Sequence, residues 1–286
     1  MTHNRRLLII DPQNDFCDID ARDAPSGETP ALPVPGAHAD MQRLAAALTR
    51  SCSPNQGGPG QVSALAVTLD THQRWDIAHP TYWQTGNGDH VPPFTAITAA
   101  QVRAGTYLPR DTSDLARTLD YLDALERQGR YTLMVWPVHC VQDSWGHHLH
   151  ADIGAACEAW TAHTGQTVYS VTKGLNPYTE HYSALQAEVP DDRDPGTQLN
   201  HTLLAWAAGA DTLLIAGEAS SHCVRATVEH LVAHLGPAGA RRITLLVDCM
   251  SPVDGFKDEH ETFLAQMRAH GVKLAKVADV LGSSAA

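Results

Sequence analysis

Six short runs of apolar and β-branched residues constrain this chain more than any other feature. They are RRLLIID at 5–11, VSALAVTLD at 62–70, YTLMVW at 131–136, TVYSVTK at 167–173, DTLLIAG at 211–217 and ITLLVD at 243–248. None alternates polar with apolar, so each reads as a strand covered on both faces. Helical patterns separate them: HADMQRLAAALTRS, SDLARTLDYLDALERQG, TQLNHTLLAWAAGA, HCVRATVEHLVAHL and DEHETFLAQMRAHG. Gly129, Gly209 and Gly271 fall where helix C-caps are wanted. Such alternation predicts an α/β fold, a parallel sheet with helices on both faces. In such a sheet the ligand site lies beyond the carboxyl ends of the strands. The residues there are Asp11, Asp70, Trp136 with the PVHC that follows, Lys173, and GEASSHC at 217–223.

Bulk properties remove several classes of function. The net charge is −12 and no Lys/Arg-rich run occurs, which argues against nucleic-acid and anionic-membrane surfaces. No apolar run approaches a membrane span. The six cysteines include no C-x-x-C pair, which excludes zinc-ribbon and thioredoxin readings. The opening MTHNRRLLIIDPQ has four consecutive apolar residues, too few for a signal peptide. The expectation is a cytoplasmic protein with free thiols. With 286 residues and 43% hydrophobic composition, the chain suffices for one domain, 1–286. A long insertion is expected at about 79–113, rich in Pro, Gly and Thr and bearing Tyr82, Trp83, Phe94 and Tyr107. His147, His148 and His150 lack helical ligand spacing as a set and read as surface or supporting residues.

Three groups of residues carry candidate chemistry. Cys223 sits where a strand breaks into a helix, and the helix dipole favours its thiolate. Lys173 would push the same way, Asp11 could accept the thiol proton, and turn amides could hold an oxyanion. An inert buried cysteine is the alternative. Asp70 and His72 form a D-x-H whose side chains point the same way along extended chain. His139 would be a third ligand and His79 a fourth, a donor set suited to Zn, Mn or Fe. A solvated turn with incidental histidines is the alternative. Phe16 and Trp136 flank the same edge, either as core or as walls of a flat, ring-accepting pocket.

Together IIDPQNDF, LDTH, WPVHCVQ, TKGLNPYTEHYSA and IAGEASSHCVRAT resemble the nicotinamidase branch of the isochorismatase-like cysteine hydrolases, in order from about 7 to 265. The resemblance implies a three-layer α/β/α fold with a six-stranded, mostly parallel sheet. It implies a triad of Asp11, Lys173 and Cys223, with the amides of Ala219 and Cys223 as oxyanion donors after a cis Glu218–Ala219 bond. It implies a divalent ion, zinc first, on Asp70, His72 and His139, with His79 as a fourth ligand or near neighbour. Phe16 and Trp136 would sandwich a pyridine ring. The implied reaction is release of ammonia from nicotinamide or a related aromatic carboxamide through a thioester. The partner is then a small-molecule amide, and a homo-oligomer is compatible with the sequence. Isochorismatase-type and N-carbamoyl hydrolases share the scaffold but generally lack the metal set; a non-catalytic binding relative would be expected to lose triad members. Two departures stand out: residues 17–32 replace a short glycine-rich turn, and the segment between His79 and Trp136 is much longer than in compact nicotinamidases.

Overall fold

The computed structural model describes residues 3–52 and 61–282. In chain order, β1 (Arg5–Ile10), α1 (Ala37–Ser51) and β2 (Ala64–Asp70) open the fold. A run of short elements follows: β3 (Trp83–Thr85), β4 (Thr95–Ile97), α2 (Ala99–Arg103), β5 (Tyr107–Pro109), α3 (Leu115–Gln128) and β6 (Leu133–Val135). The second half comprises α4 (Ala151–Thr164), β7 (Tyr169–Lys173), α5 (His201–Ala208), β8 (Thr212–Gly217) and α6 (Cys223–Ala240). It ends with β9 (Ile243–Leu246), α7 (Lys257–Ala269), β10 (Lys273–Ala275) and α8 (Val277–Leu281).

The six-stranded sheet has the order β10-β9-β8-β1-β2-β7, and all five pairings are parallel. In β1, Leu7, Leu8, Ile9 and Ile10 are each 0% exposed, because both of its faces are covered. Helices α1, α4 and α8 pack together, and α5, α6 and α7 form a second packed group. The result is the expected three-layer α/β/α architecture. Gly217 closes β8 with a left-handed φ of 118°. A Cβ there would lie 2.0 Å from the Ile10 carbonyl, so only glycine lets β8 approach the end of β1 this closely.

Three elements depart from the sequence reading. The run at 131–136 is not a strand of the central sheet: β6 pairs antiparallel with β4. Its place is taken by β10, a three-residue strand beside β9, too short to carry a periodic signal. Helix α4 went unassigned because its small residues blur any apolar stripe; its buried positions are Ile153, Ala156, Cys157 and Trp160. The expected insertion at 79–113 is ordered, with β3 pairing β5 antiparallel. Together with α3 and β6 it builds a second hydrophobic cluster around Tyr82, Trp83, Ile97, Val102, Leu122 and Val135. Within α6, Gly236 is non-helical and Pro237 follows, so the first helical stretch stops where the sequence pattern stops, at Leu235. Gly129 caps α3 in the left-handed region, whereas Gly209 stays right-handed after α5. Among the described residues no helix is long and apolar enough to cross a membrane.

Candidate active site

Four neighbouring strands, β8, β1, β2 and β7, deliver the sequence-singled residues to one edge. Asp11 follows β1 directly, Asp70 ends β2, and Lys173 ends β7 in register with Asp70. The Lys173 ammonium lies 3.0 Å from Asp11 Oδ2 and 2.9 Å from Asp70 Oδ1. It also donates to the His181 carbonyl at 2.9 Å and stands 3.6 Å from Cys223 Sγ. Asp11 accepts from the Thr68 hydroxyl at 2.5 Å. All of these side chains are buried, so their charges are felt at low dielectric.

The buried charges shift one another. Burial pushes the Asp11 carboxyl up, against the pull of Lys173. Burial also opposes the charge on Asp70, but His72 and Lys173 outweigh it and hold that carboxyl well below the usual range. For Lys173, burial is overcome by Asp11, Asp70 and Cys223, which keep the ammonium well above its ordinary value. Cys223 departs from the sequence expectation of a favoured thiolate. Burial pushes its thiol well up, and Lys173 only partly offsets this. Burial thus favours the neutral form of this thiol, and loss of its proton is helped by a nearby acceptor and cation.

The elbow from Glu218 to His222 hands β8 over to α6. The Glu218–Ala219 peptide bond is cis. The amides of Ala219 and Cys223 donate to no backbone carbonyl among the described residues, leaving both available to an oxyanion. Glu218, Ser220 and Ser221 of the elbow are anchored outward. Glu218 Oε2 accepts from the Ser251 amide at 3.0 Å, Ser220 Oγ meets His260 Nδ1 at 2.7 Å, and Ser221 Oγ accepts from the Val253 amide at 3.1 Å.

Beside Asp11, Lys173 and Cys223, the side chains of His72, His79 and His139 each offer a nitrogen, and these nitrogens lie within 4.8 Å of one another. Asp70 Oδ2 is 3.1 Å from His72 Nε2 and 3.5 Å from His139 Nε2. The Asp76 carboxylate meets His72 Nδ1 at 3.0 Å, which fixes the ring with Nε2 turned to Asp70. Burial drives His79 down to about 2, so it stays neutral as a ligand must. His79 Nδ1 is buried without a partner among the described residues. Burial opposes the charge on His72, but Asp70 and Asp76 outweigh it and hold His72 well above the usual histidine range, so this imidazole gives up a proton on taking an ion. A carboxylate with three imidazoles suits a divalent ion such as zinc. Thus the three histidines cluster, His79 included, and Asp70 stands against two of them, His72 and His139.

Next to both groups lies a small cavity of about 20 Å³ lined by Phe16, Trp136, Asp70, His139, Ala219 and Cys223. Its remaining walls are Leu32, Glu180, Tyr182, His222 and Val253. Phe16 packs edge-on to His139 at 5.4 Å, and Trp136 edge-on to His222 at 5.0 Å. Burial raises Glu180 to about 7, and its Oε2 has no partner among the described residues. A larger surface cavity near Arg117, Tyr178 and Arg193 contains none of the expected site residues. Thr68, Asp76, Glu180, Tyr182 and His222 were missed by sequence reasoning. Only Glu180 and His222 carried a signal, as charged or polar residues inside the strand-end motifs TKGLNPYTEHYSA and GEASSHC. Of the histidine-rich SWGHHLH, His147 meets the Thr71 hydroxyl and His150 meets His38; neither joins the metal-ligand cluster.

No protein-family model matches the chain. The nicotinamidase of Saccharomyces cerevisiae is 23% identical over 274 residues, covering 94% of this chain and 98% of that protein. The structure of an Acinetobacter baumanii nicotinamidase/pyrazinamidase superposes with a TM-score of 0.60 at 20% identity, covering 97% of this chain and 98% of the other. A Pyrococcus horikoshii pyrazinamidase solved in complex with zinc superposes with a TM-score of 0.51 at 18% identity, covering 96% and 99%. The chain has the fold of these nicotinamidase and pyrazinamidase structures, the three-layer fold that its resemblance to isochorismatase-like cysteine hydrolases implies.

Proposed function

We propose that this protein is a metal-dependent cysteine amidohydrolase that releases ammonia from nicotinamide or a related aromatic carboxamide. One observation carries the reading. Cys223 Sγ stands 3.6 Å from Lys173 Nζ, which is 3.0 Å from Asp11, on a cavity walled by Phe16 and Trp136. Relatives and structural neighbours named as nicotinamidases support it. The flat aromatic walls suit a ring, and the cavity is too small for a polymer.

The chemistry follows from the charges. Asp11, raised by burial, takes the Cys223 proton as the sulfur attacks the carboxamide carbon. The carbonyl oxygen gains negative charge as the C–S bond forms, and the Ala219 and Cys223 amides receive it. Asp11 returns the proton to the amide nitrogen, the C–N bond breaks, and ammonia leaves a thioester on Cys223. A water then gives its proton to Asp11 and its oxygen to the acyl carbon. The thiolate departs, recovers the proton, and the carboxylic acid is released. Lys173 keeps Asp11 ionised at the start of each half-reaction. Asp70, His72, His139 and His79 would hold the divalent ion, which when bound supplies a Lewis acid for a ring nitrogen. The zinc of the Pyrococcus neighbour favours zinc among the candidate ions.

The test is Cys223→Ala in metal-loaded protein. Ammonia release from nicotinamide and pyrazinamide should fall by about 10⁴-fold or more, with bound metal per chain unchanged. Retained turnover would sink the mechanism.

A further inference from the structure

Beneath the elbow lies a second pair of acids that the proposed chemistry does not use. Glu218, 0% exposed, precedes Ala219, and Asp40 of α1 is 7% exposed. Their carboxyls are in hydrogen-bond contact, and both hold Ser251. The Ser251 amide donates to Glu218 Oε2 at 3.0 Å, and its hydroxyl donates to Asp40 Oδ2 at 2.6 Å. Arg43 donates to Asp40 Oδ1 at 2.8 Å. Asp40 thus has a donor on each oxygen, whereas Glu218 Oε1 is buried with none among the described residues. Two carboxylates cannot hydrogen-bond without a proton between them, so one of the pair is an acid. The bare oxygen of Glu218 is the atom left to carry it.

We propose that Glu218 is a positioning residue: as a neutral acid donating to Asp40, it ties the elbow bearing the Ala219 and Cys223 amides to α1 and to the segment around Ser251. The surroundings agree. Asp40 and Arg43 face the pair from α1, and Asp18 and the Cys17 thiol approach from the segment after β1. Asp248 lies beside Cys249, which also senses Glu218, both on the segment after β9. The Arg43 guanidinium beside them already serves Asp40. Burial, with Asp40 beside it, pushes Glu218 well above the ordinary glutamate range. The backbone on either side is fixed as well: the Glu218 amide donates to Ile10 O at 2.8 Å and the Ser220 amide to Ser251 O at 2.9 Å. Loss of the Glu218 anchor leaves the substrate cavity walls intact but frees the amides that receive the oxyanion.

The inference rests on reading those amides as oxyanion donors, and its test has one arm that needs no turnover. In infrared spectra of the intact protein at neutral pH, the protonated-carboxyl stretching band, to which Glu180 and Glu188 also contribute, should lose one component in Glu218→Gln; a band unchanged by that substitution overturns the proposal. In kinetics, Glu218→Ala should lower kcat about a hundredfold with KM within about twofold, the cost expected for displaced catalytic groups. Glu218→Gln, which keeps a donor for Asp40 and an acceptor for Ser251, should restore kcat to within about threefold of wild type. Unchanged kcat in Glu218→Ala, or a loss that glutamine does not rescue, overturns the positioning role. If Glu218→Ala does not fold, the glutamine variant decides through its infrared band and its kcat. A wild type without amidase activity would remove the proposed function while leaving the infrared arm to judge the carboxyl pair.

Discussion

Lys173 touches Asp11, Asp70 and Cys223 at once. Replacing it by methionine keeps roughly its length but leaves two carboxylates buried and facing each other. Breaking a buried ion pair from one side costs about 3–5 kcal/mol, so Lys173→Met should lower the unfolding free energy by that amount in urea titrations. A loss under about 1 kcal/mol would mean that the pair is far better solvated than its burial implies. Asp11, Asp70, Lys173 and Cys223 were legible in the sequence because a parallel sheet forces its strand ends to converge. Thr68, which donates to Asp11, was not, since it reads as one more interior position of β2. Asp76 was equally hidden. It reaches His72 through a turn, and no spacing rule announces that contact. Glu218 was visible as an acid in the elbow, but its partner Asp40 comes from α1, far away in sequence.

Elements proved legible in proportion to their length and to how far they are buried. The central strands β1, β2, β7 and β8 announced themselves through apolar runs. β6 carries the same kind of run, yet it pairs with β4, because Leu133 and Val135 bury into the second cluster. Apolar character alone specifies burial and leaves open which core receives the strand. This matters for the site, since Trp136 directly follows β6, whose Leu133 and Val135 are buried in that second cluster. Leu122, 0% exposed within this cluster, offers a test. Leu122→Ala should cost about 2–5 kcal/mol through the cavity it leaves. Amide exchange should quicken in β4 and β6 while β1 and β8 keep their protection, and KM should rise more than kcat falls. Equal acceleration throughout the central sheet would show that the segment has no independent bearing on Trp136.

At the scale of the molecule, the interior holds two opposed sets of protons. Burial lowers His150 to about 4, His181 to about 3, His222 to about 3 and His230 to about 4. These groups return to an ordinary 6.5 on unfolding, so the stability they lend is present above that pH and is lost as pH falls through 3–4. Burial raises Glu180 and Glu188 to about 7 each. Their contribution has the other sign: it is present below the ordinary 4.5 and is lost as pH rises through about 7. Glu218 and Asp11, also raised by burial, side with the second set. The opposition flattens the pH dependence of stability between 4.5 and 6.5, and single substitutions should unmask it. Glu188→Gln removes a proton that the native state retains, so its stability should rise more steeply with pH than that of wild type. His150→Asn keeps a cap for α4, where His150 accepts from the Asp152 amide, but removes a proton that unfolding takes up. Its profile should tilt the opposite way. Each change is bounded by about 1.4 kcal/mol per pH unit, readable in urea unfolding at several pH values across that window. Parallel profiles for wild type and both variants would mean that these groups titrate alike in the folded and unfolded chains.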